Sequence, residues 1–228
     1  EAIINNTNKP VLIELRTTIG YGSELADTSK IHGSPLTNEQ LSSFKKNLGF
    51  SPNQNFCVPQ EVYDHYEQVR KATEEKVNQW NSLYRDYAIA YPSDYETLQK
   101  CINGDFTYEY FKSFFTLDHK SSIATRQSSG NVLNQIVKHI PGLIGGSADL
   151  ASSNSTDLKT EKAFTEHNRM GRQIEFGVRE HGMQAIANGI AYYGLKGIVP
   201  FTATFFVFIQ YLMPSLRCAC LERLRTIL

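Results

Sequence analysis

An α/β fold with a mainly parallel sheet is predicted for the later part of this 228-residue chain, preceded by a helix-rich stretch. Two observations predict it. After about residue 121, helical patterns alternate with short apolar runs, Leu143-Ile144-Gly145-Gly146 and then Gly197 to Phe201, the order in which strands joined by helical crossovers occur. Before about residue 90, one long three- and four-residue periodicity dominates instead. A chain of this length can bury one good core or two small ones, so it need not be a single complete domain.

Taken in order, Pro10-Val11-Leu12-Ile13-Glu14-Leu15 reads as a short apolar strand running into Thr17-Thr18-Ile19-Gly20-Tyr21-Gly22, whose glycines permit a turn or a close approach. A helix is expected after Thr37, because Thr37 and Gln40 have capping-box spacing, with Gly49 placed to end it. The next helix is long: Pro59 fits a first turn, and Val62, Tyr66, Val69, Thr73, Val77, Trp80, Tyr84 and Tyr87 share one face up to a stop at Pro92. Residues 91–120 lose that periodicity, carry a turn at Asn103-Gly104 and read as a connector. Beyond them the expected order is helix 129–139, strand 143–146, loop 147–171, helix 181–193, strand 197–201 and helix 204–217. Ligands of parallel sheets bind beyond the carboxyl ends of the strands, which directs attention to the loops after Gly146 and Phe201.

Charge and composition narrow the partners. With 23 Lys and Arg against 23 Asp and Glu, no long-range field favours nucleic acid or an anionic membrane, and any anion chemistry rests on a few placed residues. The most apolar run, residues 198–213, holds Pro200, Thr202, Thr204 and Gln210 and falls short of the ~20 residues a span requires. Cys57, Cys101, Cys218 and Cys220 lack redox or zinc spacing and read as reduced, structural thiols of a cytoplasmic protein. The opening residues Glu1 to Asn5 show no leader pattern and look like a cut inside a fold.

Several residues have two readings. His32, among small residues in Lys30-Ile31-His32-Gly33-Ser34-Pro35, is either an ordinary loop histidine or a group that moves protons beside a ligand. Arg126 is a surface arginine or a phosphate fork. In Gly145-Gly146-Ser147-Ala148-Asp149-Leu150-Ala151-Ser152-Ser153-Asn154, the glycines bring backbone close to a neighbour while Asp149 and the serines offer polar groups to a ligand or a partner subunit; the alternative is a polar turn. Glu180, in Arg179-Glu180-His181-Gly182, is an N-cap or a buried glutamate that shares a proton with a ring nitrogen. Phe205, Phe208 and Tyr211 lie three apart and form either core or a flat wall against an aromatic ring.

In order, these segments resemble transketolase over nearly the whole chain. The resemblance is carried by Thr17-Thr18-Ile19-Gly20-Tyr21-Gly22-Ser23, His32-Gly33-Ser34-Pro35-Leu36, Val58-Pro59-Gln60-Glu61-Val62-Tyr63-Asp64-His65-Tyr66, Ala124-Thr125-Arg126, Gly145-Gly146-Ser147-Ala148-Asp149-Leu150, Gly177-Val178-Arg179-Glu180-His181-Gly182-Met183 and Thr204-Phe205. It implies a thiamine-diphosphate-binding fold: 1–90 as the end of the diphosphate-binding domain, 91–120 as the connector and 121–228 as most of the pyrimidine-binding domain. It also implies a cytoplasmic homodimer with its cofactor at the subunit junction, Mg²⁺ or Ca²⁺ on the diphosphate, and transfer of a two-carbon ketol group between sugar phosphates.

By the same resemblance His32 and Glu180 are catalytic, and Arg126 and Ser153 hold the substrate phosphate. His32, Asp149, Glu180, Phe205, Phe208 and Tyr211 contact the cofactor. Metal ligands are expected upstream of Glu1 and further substrate histidines after Leu228, so the chain alone is expected to be inactive. Ser29, Ala151-Ser152 and Thr202-Ala203 depart from the family pattern, the last pair replacing two glycines beside the cofactor pocket; the tail 218–228 departs as well. Dihydroxyacetone synthase and a catalytically dead interaction protein are the rival readings, and the Arg126 and Ser153 pair favours transketolase over the former.

Overall fold

The structure is a computed structural model that describes Asn5, Lys9, residues 11–116 and residues 122–228. The opening residues, Pro10 and the expected boundary at Ser121 therefore lie outside the described residues, apart from Asn5. Two compact units are present, Glu1–Asn78 and Gln79–Leu228, and the division falls within one long helix.

The first unit begins with turns rather than a strand. Residues 11–18 form neither helix nor ladder, and Leu12 and Leu15 are 94% and 80% exposed. An apolar run becomes a strand only when a neighbour takes its backbone N–H and C=O groups, and among the described residues none does. The expected turn follows, with Ser23 N donating to Gly20 O at 2.9 Å. A 3₁₀ turn, Ser29–Ile31, ends at His32, and α1, Asn38–Asn47, starts at the predicted cap: Gln40 N donates to Thr37 Oγ1 (3.3 Å) and Thr37 N to Gln40 Oε1 (2.9 Å). Helix α2, Gln60–Ala90, is the long helix expected from the periodicity.

In the second unit the end of α2 meets α3, Pro92–Asn103, through Tyr84, whose ring lies edge-on to Tyr95 at 5.3 Å and whose hydroxyl is bonded to Gln99. Pro92 both stops α2 and opens α3, since the missing N–H costs nothing in a first turn. Gly104 closes α3 in the left-handed region at φ 67°. Helix α4, Tyr108–Phe114, follows, and Tyr110 and Phe111, with Phe106, pack on a core of Val137, Ile140, Leu143, Leu158 and Phe201. Residues 91–120, read as a connector, thus include two helices that pack within this unit.

Helix α5, Thr125–Ile136, begins four residues earlier than the periodicity suggested, because Ser128, Ser129 and Gly130 mask its first turns with weak helix formers. Strand β1, Leu143–Ser147, pairs in parallel with β2, Val199–Ala203, in the register Leu143 to Val199 through Ser147 to Ala203. Single parallel bridges add Gln173 beside Gly145 and Ile227 beside Phe201, so the layer is parallel throughout and the divergent tail is part of it. Between the strands lie α6, Ala151–Asn154, inside the segment expected to be a loop, and α7, Glu180–Tyr192. After β2 the expected single helix is two elements, a 3₁₀ segment Phe206–Tyr211 and α8, Met213–Leu221, because Pro214 starts a new helix instead of continuing one.

Gly145 and Gly146 belong to β1 rather than to a ligand-facing loop. A Cβ on Gly145 would collide with the Phe201 carbonyl, and one on Gly146 with the Ile174 carbonyl. Their close approach is therefore to the flanking chain segments, a packing role. Arg172 fixes the turn that leads into β1: it grips Glu161 through Nε (3.0 Å) and Nη2 (2.6 Å) and donates to the carbonyls of Val137 (2.8 Å) and Ile140 (2.7 Å) at the end of α5. Both side chains of the pair are 18% exposed.

Replacing Arg172 by Met leaves a mostly buried carboxylate and carbonyls unpaired, and urea unfolding should show a loss of about 3 kcal/mol or more. The same change at the exposed Arg70, paired with Glu67 on α2, should leave the midpoint nearly unmoved. The four cysteines are free, and burial pushes the Cys101 thiol up against a smaller opposing pull from Arg172. Iodoacetamide near pH 8 should label the exposed Cys57, Cys218 and Cys220 before Cys101, read by peptide mass.

Candidate functional site

Parallel pairing makes β1 and β2 leave the sheet at the same end, and the two exits are tied together. Ala148 N and Ser147 Oγ both donate to Ala203 O at 3.0 Å, while Asn154 Nδ2 donates to Ser147 Oγ at 2.8 Å. The chain then reverses at Asp149, which holds φ 63°, a left-handed conformation that Asp tolerates better than most residues. Helix α7 brings its amino end to the same place. Glu180 is its first residue, not its cap; Arg179 occupies the cap position without a capping side-chain bond and instead donates Nη1 to Phe176 O at 2.7 Å.

These elements enclose a cavity of about 450 Å³ lined by Ala148, Asp149, Leu150, Val178, Glu180, Phe208 and Tyr211. Glu180 is 9% exposed, and Thr204 Oγ1 donates to its Oε1 at 3.4 Å, which leaves Oε2 for another partner. Phe208 and Tyr211 of the aromatic row line the same cavity. In a 3₁₀ segment residues three apart are eclipsed. Phe205 and Phe208 are accordingly stacked at 6.1 Å with planes 13° apart, and Phe208 and Tyr211 follow at 6.2 Å. A buried carboxylate and aromatic rings that line one cavity of small-molecule size suit a planar heterocycle with a ring nitrogen that can share a proton.

The cavity gathers Asp149, Glu180, Phe208 and Tyr211, with Phe205 stacked behind Phe208. Arg126, in the first turn of α5, and Ser153, in α6, are exposed and do not line it. Their neighbours Gln127 and Ser152 line a separate polar cavity of about 430 Å³ with Asn131, Asn134 and Ser155. His32 is exposed and belongs to the first unit. No group of three or more His, Cys, Asp or Glu suited to a metal ion occurs among the described residues.

Thr202 and Ala203 are not among the residues that line the cavity. Thr202 is 3% exposed and turns toward α7, donating Oγ1 to Gln184 Oε1 at 2.8 Å. This is the part of the site that sequence reasoning missed. Gln184 is wholly buried, and Gln184, Asn188, Thr202 and Ser215 form a polar network among α7, β2 and α8. A polar residue at a core position of the α7 pattern, Gln184 four residues after Glu180, was the available signal.

Residues 1–107 match the family described as transketolase, thiamine diphosphate binding domain, and residues 121–228 match transketolase, pyrimidine binding domain. The chain belongs to the transketolase family. It is 40% identical over 223 residues to the transketolase of Aquifex aeolicus, covering 97% of this chain and 31% of that protein. The transketolase of Bacillus subtilis is 42% identical over 218 residues, covering 95% and 32%. Among solved structures, a transketolase complex with sedoheptulose 7-phosphate from Pichia stipitis superposes with a TM-score of 0.85 at 35% identity, covering 96% of this chain and 33% of the other. Transketolase from Leishmania mexicana gives 0.81 at 34%, covering 92% and 31%. The chain thus spans about a third of the length of these transketolases.

Proposed function

We propose that this chain is part of a transketolase that moves a two-carbon ketol group from a ketose phosphate to an aldose phosphate, and that the cavity at Glu180 takes the pyrimidine ring of thiamine diphosphate. The observation that carries this reading is the buried Glu180 carboxylate, on the first turn of α7, sharing one cavity with Phe208 and Tyr211. The residues fit the group. Phe208 and Tyr211 supply aromatic lining for a flat ring, and Thr204 occupies Glu180 Oε1, which among the described residues leaves Oε2 to share a proton with a ring nitrogen. When bound, thiamine diphosphate supplies the electron sink for breaking and forming the carbon–carbon bond.

The chain's own contribution is placement and proton control. Leu150 and Val178 add apolar lining to the cavity beside Glu180. Asp149, held at the strand exit, orders the rim of the cavity. We assign His32 to proton movement at the substrate hydroxyls, and Arg126 and Ser153 to the sugar phosphate, whose charge suits a guanidinium fork and a hydroxyl. The exposed state of Arg126 and Ser153 leaves both free to meet a charged substrate. The Pichia stipitis structures crystallised with sedoheptulose 7-phosphate and with fructose 6-phosphate support the substrate class.

The order of the two matched segments supports dividing the chain into 1–90, 91–120 and 121–228 as diphosphate-binding, connecting and pyrimidine-binding parts. A divalent cation, Mg²⁺ or Ca²⁺, belongs to the proposal through the diphosphate it would neutralise. Among the described residues no group of three or more His, Cys, Asp or Glu could hold it. We further propose a homodimer, for which exposed Val178, Phe206 and Val207 near the cavity supply apolar contact area, and a cytoplasmic protein, in keeping with four free thiols.

In the complete protein, Glu180→Gln should lower turnover by about 100-fold or more, since it removes a positioned proton-sharing group. The assay is ribose 5-phosphate with xylulose 5-phosphate, with and without thiamine diphosphate and Mg²⁺. Undiminished, cofactor-dependent turnover in the variant would remove Glu180 from this role.

A further inference from the structure

Glu180 and Gln184 stand one turn apart on a single face of α7, a rise of about 6 Å. Thr204 and Thr202 stand two residues apart at the end of β2, a span of about 6.6 Å. The two spacings match, and helix and strand meet as two rungs: Thr204 to Glu180 at 3.4 Å, and Thr202 to Gln184 at 2.8 Å. The outer rung is long and faces the cavity. The inner rung is short and sealed, with Gln184 0% and Thr202 3% exposed.

Gln184 is held on its other side as well. Its Nε2 donates to Asn188 Oδ1 at 2.9 Å and to Thr226 Oγ1 at 3.3 Å, and Asn188 Nδ2 donates to Ser215 O at 2.7 Å. The carboxamide therefore has one satisfied orientation, and rotating it would strand buried polar atoms. A single bond at 3.4 Å is too weak to fix a carboxylate. The spacing between the first turn of α7 and the strand exit that carries Thr204 and Phe205 is set one turn deeper.

We infer that Thr202 and Gln184 are positioning residues for Glu180: their buried hydrogen bond determines where Glu180 presents its carboxylate relative to the aromatic row. The inference rests on Glu180 being the partner of the pyrimidine ring, as proposed above. It gives Thr202 a definite role in this chain, that of a donor whose hydroxyl complements a glutamine on the neighbouring helix.

The test uses Thr202→Val, which keeps the shape and removes the hydroxyl, Thr202→Ser, which keeps the hydroxyl, and Glu180→Gln, alone and combined with Thr202→Val. Calorimetric titration of the complete protein with thiamine diphosphate and Mg²⁺ should show about tenfold weaker binding for Thr202→Val and recovery for Thr202→Ser. On the Glu180→Gln background, already weaker, Thr202→Val should change affinity by less than about twofold, because the two act as one unit. An equal loss on both backgrounds, or no loss on either, would overturn the positioning role while leaving Glu180 in place. Binding by Glu180→Gln as tight as that of the unaltered chain would instead remove the reading on which the inference rests.

Hydrogen exchange of the unliganded chain tests the premise that the buried Thr202 to Gln184 bond fixes the first turns of α7. The amides of Met183 and Gln184 should exchange about tenfold faster in Thr202→Val with those of α5 unchanged. A uniform change, or none, would contradict the inference.

Discussion

Five residues of β1 lie beside five of β2 in parallel register, and the geometry of the candidate site depends on that pairing. Parallel strands emerge at a common end, so Ser147 and Ala203 finish as neighbours and pass their following segments, Asp149 on one side and Phe205 to Tyr211 on the other, to the same cavity. The intervening helix α7 returns with its amino end there too, which places a carboxylate where the sheet has ended. An antiparallel partner would have sent one of these segments to the opposite edge.

Close packing enforces the pairing. Gly145 and Gly146 have no room for a side chain against the carbonyls of Phe201 and Ile174, so β1 sits between the neighbouring segments at a distance only glycine allows. Arg172 closes the turn between α5 and β1 by binding the carbonyls of Val137 and Ile140, just past the helix, and Glu161 together. Beneath the site the network around Gln184 plays the equivalent part between α7, β2 and α8. Polar groups hold the frame at the last two of these places, and apolar residues such as Met183 and Leu212 pack in a core cluster.

Much of this was legible in the sequence, for identifiable reasons. The cap at Thr37 and Gln40, the length of α2 and the two strands follow from local chemistry that tertiary contacts did not override. The strand expected at 10–15 failed because a ladder needs a partner, and the apolar pattern says nothing about whether one is near. Helix α4 stayed hidden because its aromatic residues, Tyr110 and Phe111, serve a core formed by distant residues such as Val137 and Phe201. At the site, Glu180 and the aromatic row were readable as residue types at telling spacings. The stacking of that row depends on a three-residue turn, whereas the sequence suggested an ordinary helix. The Thr202 to Gln184 bond joins residues 18 apart and has no local signature.

The cavity lined by Glu180, Phe208 and Tyr211 is the place proposed for a pyrimidine ring. Amide chemical-shift mapping of the isotope-labelled chain during addition of thiamine diphosphate and Mg²⁺ tests it directly. The largest shifts are expected at Asp149, Glu180, Phe208 and Tyr211. Shifts concentrated instead around Gln127, Asn131 and Ser155, with the Glu180 region silent, would contradict it.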